Sequence, residues 1–109
     1  MFFDIENIKL IKDISLTEAA IMNRVEDNFA VELDLNGKSI TSASSYDGYY
    51  MIRVDAGTLA ITDKTQDKEG SIIARKGTNN IPLCAMGSGN LLIQEGKFGG
   101  LVESEAVYV

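Results

Sequence analysis

From Phe29 the apolar residues recur with a period of two: Phe29, Val31, Leu33 and Leu35 point one way while Ala30, Glu32 and Asp34 point the other, the pattern of a half-buried β-strand. Asn36-Gly37 follows, a pair that tolerates the two positive φ angles of a type I′ turn. A hairpin closed there pairs Leu33 with Ile40 and Val31 with Ser42. The returning segment KSITSAS then has few large apolar residues and reads as an edge strand. YYMIRVD and TLAITD, on either side of Ala56-Gly57, predict a second hairpin in which Val54 meets Leu59 and Ile52 meets Ile61.

Elsewhere the pattern is less regular. FFDIENIKLI, residues 2–11, is apolar and β-branched enough for a first strand. Ser15-Leu16-Thr17-Glu18 has the Ser-x-x-Glu spacing of a capping box, and the apolar Leu16, Ala19, Ala20, Met22 and Val25 predict a helix from about Leu16 to Asp27. DKTQDKEG, residues 63–70, reads as a solvated loop, and residues 71–75 as a short buried strand. Seven of the ten glycines lie from Gly70 onward, between apolar runs at 81–86, 91–93 and 101–109, so short strands and tight turns are expected there. No internal repeat, low-complexity run or linker is visible. The expected fold is mainly β: a single domain over residues 1–109, a small antiparallel sandwich or barrel with one short helix near the N-terminus, and α+β as the alternative.

AMGSGNLL, residues 85–92, resembles the start of a phosphate-cradling loop. A dinucleotide fingerprint also needs a third glycine and a following helix, and a P-loop needs Gly-Lys-Ser/Thr; all are missing. The stretch reads instead as a turn placing Met86 beside Leu91 and Cys84 beside Ile93. Glu32-x-Asp34-x-Asn36-Gly37 imitates the opening of a calcium loop, but its twelfth position is Ala43, not a carboxylate.

Composition narrows the chemistry. With no histidine and a single cysteine, Cys84, neither a Ser-His or Cys-His nucleophile pair nor a Cys/His zinc site can be assembled from one chain. No catalytic residue, metal or cofactor is expected. Cys84, among Ile81, Leu83, Ala85 and Met86, reads as a small core residue. Sixteen acidic residues against ten basic give a net charge of −6, and the scattered Lys and Arg disfavour nucleic acid. No apolar run approaches the ~20 residues that span a bilayer, and no signal-peptide pattern opens the chain. A cytoplasmic location, or a virion if the protein is viral, is the resulting expectation.

Two regions stand out as candidate contacts. The segment SASSYDGYY, residues 42–50, gathers three of the four tyrosines, and Tyr46, Asp47 and Tyr49 form a candidate binding loop together with the turn carrying Arg75, Lys76, Asn79 and Asn80. The apolar ends, with Phe2 and Phe3 at one and Val107, Tyr108 and Val109 at the other, predict sheet pairing or cover by another subunit. The leading functional expectation is a non-enzymatic structural or assembly protein, a homo-oligomer built through sheet edges and apolar termini, such as a viral head, decoration or tail component. An acidic inhibitor or binding module for a basic protein partner, and a small-ligand-binding β-barrel, are the alternatives.

Overall fold

The computed structural model describes residues 4–23, 29–74, 81–99 and 107–108. They form ten strands: β1 (Asp4–Lys9), β2 (Ile14–Leu16), β3 (Ala20–Asn23), β4 (Phe29–Asp34), β5 (Ser39–Ser42), β6 (Tyr50–Thr62), β7 (Ser71–Ile73), β8 (Ile81–Ile93), β9 (Lys97–Gly99) and β10 (Val107–Tyr108). Every strand pairing is parallel.

The order of pairing defines a solenoid. The chain runs along one face, turns a corner onto a second, then a third, and re-enters the first face one ladder step further on. Face one stacks β1, β4, residues 58–62 of β6 and residues 90–93 of β8. Face two stacks β2, β5, β7 and β9. Face three stacks β3, residues 50–54 of β6, residues 81–85 of β8, and β10. There are thus four rungs among the described residues. Four strands at about 4.8 Å spacing put the outermost strands about 14 Å apart.

The interior consists of aliphatic columns, each supplied by one residue per rung. On face one Ile8, Leu33, Ile61 and Ile93 share a register, and on face two Ile14, Ile40, Ile72 and Phe98. On face three the column is Ala20, Ile52 and Leu83, with the backbone of Val107 next in register. Leu33, Ile40, Ile52, Ile61, Ile72 and Leu83 are buried in one core with Leu35, Met51, Val54 and Leu59. Alternation along each strand supplies these columns, and stacking identical shapes lets each rung bury its neighbour's inner side.

The mainly β expectation holds; the antiparallel sandwich or barrel does not. All three expected hairpins are replaced by corners. Asn36 and Gly37 do adopt positive φ, 51° and 72°, and the Lys38 amide donates to the Leu35 carbonyl at 2.8 Å. The turn nevertheless delivers the chain to face two, so Leu33 pairs with Ile8 and Ile61 rather than Ile40. KSITSAS is no edge: β5 lies between β2 and β7. Across Ala56-Gly57 and again across Gly87 to Gly89 the backbone continues as strand from face three to face one, and the two corners stack, Ala56 on Ser88 and Gly57 on Gly89. Val54 accordingly pairs with Ala85 and Leu59 with Leu91 instead of with each other.

No helix forms among the described residues, which removes the α+β alternative as well. Ile14–Leu16 and Ala20–Asn23 are strands, because Ile14 and Leu16 align with Ile40 and Ser42, and Ala20 and Met22 with Ile52 and Val54. The tertiary ladder overrides a weak helical signal; residues 24–27 of the expected helix lie outside the described residues. The expected lack of a repeat is corrected too. Successive column members are 24 to 32 residues apart, as in Ala20, Ile52, Leu83 and Val107, so the repeat is structural and its unequal length hides it from a fixed-period search. No described helix is long and apolar enough to cross a membrane.

Candidate functional site: the open end of the solenoid

In a solenoid each rung is covered by the next, and the first and last rungs lack a neighbour on one side. The described first rung shows this plainly. Ile8, Leu10, Ile14, Leu16, Ala20 and Met22 border an open groove of about 630 Å³, floored by second-rung residues including Val31, Leu33, Ile40 and Ile52. Exposure follows column position: Ile8 is 48% exposed and Ile93 39%, whereas Leu33 and Ile61 between them are 8% and 0% exposed. On face two Ile14 and Phe98 are half-buried at the column ends while Ile40 and Ile72 are buried. Among the described residues both ends of the stack therefore present apolar side chains framed by strand edges, the arrangement that accepts another strand layer.

The first corner holds the rungs in register. Asp63 is fully buried, and its carboxylate accepts the backbone amides of Gly70 (2.7 Å), Thr65 (2.9 Å) and Gly37 (3.1 Å) and the Thr65 hydroxyl (2.5 Å). Burial alone would raise its pKa; these hydrogen bonds outweigh burial and hold the carboxyl below its ordinary value. Asp34 accepts the Asn36 and Lys64 amides, and the Asn36 side-chain amide donates to the Leu10 carbonyl at 2.9 Å. Glu95 accepts the Thr62 hydroxyl and pairs with Lys68, which, followed by the Thr62 bond, lowers its pKa. Carboxylates at this corner bind the rungs to one another and have their partners within the chain.

The tyrosine segment forms a second, smaller feature at the corner between faces two and three. Tyr46, Asp47 and Tyr49 border a cleft of about 430 Å³ together with Thr17, Glu18, Tyr50 and Arg53. Tyr46 is buried and its hydroxyl donates to the Tyr50 carbonyl; burial, with the Asp47 charge, raises its pKa. Tyr49 is 67% exposed and its ring lies 5.3 Å from that of Tyr50. Arg53 is engaged in a two-pronged pair with Asp55, at 2.8 and 3.0 Å. The groups best able to grip a ligand are thus turned to structural use, apart from the Tyr49 ring.

Of the other expected contact residues, Val107 and Tyr108 form β10 and extend face three beside Leu83 and Cys84. Phe2, Phe3, Arg75, Lys76, Asn79, Asn80 and Val109 lie outside the described residues. Cys84 is buried, and the loss of solvation pushes its thiol pKa up despite a Tyr50 hydrogen bond. No group of three or more His, Cys, Asp and Glu side chains among the described residues is placed to hold a metal. The first-rung aliphatics Ile8, Ile14, Leu16 and Met22, exposed or half-buried, border one continuous apolar groove. Their separate strands gave no sign that they converge; Ile14 and Leu16, alternating with Ser15, were the available signal. Compared with protein-family models, curated proteins and solved structures, the chain matches none of them.

Proposed function

We propose that this protein is a non-enzymatic structural and assembly protein that self-associates through the ends of its solenoid. One observation carries the reading: the open groove of the first rung, where Ile8, Ile14 and Ala20 stand over Leu33, Ile40 and Ile52 with strand edges beside them. In a stack only four rungs thick two of the rungs are terminal, so covering the apolar groove at one end removes exposed aliphatic side chains such as Ile8 from water. A homo-oligomeric component of a larger particle or fibre, including a viral head, decoration or tail, is the setting such ends suit. A basic protein partner is less well supported, because Glu32 pairs with Lys64 at 2.7 Å and Asp34 is buried and hydrogen-bonded within the corner.

Light scattering on the full chain up to high micromolar concentration tests the reading. The weight-average mass should rise with concentration, and Ile8→Asp, which places a charge at an already exposed column end, should return it to that of a monomer while far-UV circular dichroism stays unchanged. A strictly monomeric mass for the unaltered chain would sink the proposal.

A further inference from the structure

We infer that copies of this chain stack head to tail, the last rung of one on the first rung of the next, in a single register that continues every column. The inference rests on the proposed self-association and specifies its direction and partner surface. Within each face all strands run in one direction. Placing a first rung against a last rung therefore extends the parallel ladders, whereas two like ends would meet antiparallel.

The pairing partners of that register can be read from the ladders. A rung added beyond the fourth puts Ile8 beside Ile93, Ile14 beside Phe98, Ala20 beside Val107 and Ile21 beside Tyr108. Two of these columns, Ile8 with Ile93 and Ile14 with Phe98, are apolar on both sides of the junction. Ile8, Ile21 and Ile93 are among the exposed large apolar residues.

Charge agrees with the same register. Asp13 precedes Ile14, and Ser39, Ser71 and Lys97 occupy the corresponding positions in later rungs, with Ser71 paired to Lys97 and Ser39 to Ser71. The Asp13 carboxylate already spans one step of this column, accepting the Ser39 amide at 2.9 Å. Continued across the junction, the column places exposed Lys97 of one copy beside Asp13 of the next. Lys97 donates to Glu69 at 2.6 Å and has further donors for a second carboxylate. Three columns of face one do not match, with Ile5 falling opposite Asn90, Glu6 opposite Leu91 and Asn7 opposite Leu92. Because the two surfaces are different patches, the contact is heterologous and does not close; it propagates as an open-ended stack.

Charge exchange across the junction supplies the test. Asp13→Lys alone and Lys97→Glu alone each set like charges against each other and should weaken self-association roughly tenfold. An equimolar mixture should recover the affinity of the unaltered chain, since each variant's altered end then meets an opposite charge on the other and its unaltered end is matched as before. Circular dichroism on each variant checks the fold. A mixture no tighter than its components, while the unaltered chain still associates, overturns the head-to-tail register and leaves self-association standing; a monomeric unaltered chain removes both. If either charge variant fails to fold, cysteines at positions 13 and 97 serve instead. Oxidation should link chains carrying both substitutions into ladders of covalent multimers and leave chains carrying Asp13→Cys alone unlinked. Dimers of that single variant would show like ends meeting and overturn the inference.

Discussion

Asp63 keeps a charge where water is excluded, and what it holds together explains why. Its oxygens collect amides from Gly37 in the second rung and from Thr65 and Gly70 in the third, so one side chain ties two corners. Its folded pKa lies below that of the unfolded chain, so its contribution to stability is complete above about pH 3.9 and is lost as pH falls through the folded value. Thermal melts between pH 6 and pH 2 should show that acid loss, and Asp63→Ala should flatten this part of the profile while costing roughly 3 kcal/mol at neutral pH, because the amides lose their acceptor. Gly89 is constrained differently: a Cβ there would collide with the Val54 carbonyl of the rung below. Gly89→Ala should therefore lower the denaturant midpoint far more than the ~1 kcal/mol that glycine-to-alanine changes usually involve, since the clash is with backbone.

At the scale of elements, Gly89 shows what local sequence chemistry can and cannot convey. The turn signals at Asn36-Gly37, Ala56-Gly57 and Gly87-x-Gly89 each mark a place where the chain changes direction, and the period-two strands on either side are real. Whether the chain reverses or rounds a corner depends on what the following strand pairs with. In this protein Leu33 finds Ile61, and Ile61 finds Ile93, across 28 and then 32 residues. An alternating strand looks the same in either arrangement, so parallel pairing left no local mark. The helix expected from Ser15-x-x-Glu18 failed for a related reason. A four-residue capping pattern is a weak preference, whereas strand formation there aligns Ile14 with Ile40 and Met22 with Val54. The tyrosine segment was legible as a cluster because its residues are contiguous, but that Tyr49 is exposed while Tyr46 is buried against the Tyr50 carbonyl was not. The open end was not, because its lining comes from strands β1 to β6 and exists only once they are stacked.

The whole molecule behaves as a short one-dimensional array, in which stability comes from contacts between adjacent rungs and the outer rungs have half as many neighbours. Stacking a second copy on an end supplies the missing neighbour, so the melting temperature of the unaltered chain should increase with protein concentration. In Ile8→Asp it should not; a differential scanning calorimetry series over a hundredfold range of concentration reads the difference.

The loop after Asp63 makes its rung longer without disturbing the columns on either side. Thr65 is fixed to the Asp63 carboxylate at one foot and Gly70 at the other, while the Lys97 amide holds the Gly70 carbonyl at 2.8 Å and the Ser71 amide donates to Lys38 at 3.0 Å. Between those feet Lys68 reaches the Asp63 carbonyl and Glu95, and Glu69 meets Lys97, so the exposed tip at Gln66-Asp67 is where a foreign peptide could be inserted and displayed on the rim of the molecule with the rung's own contacts left in place.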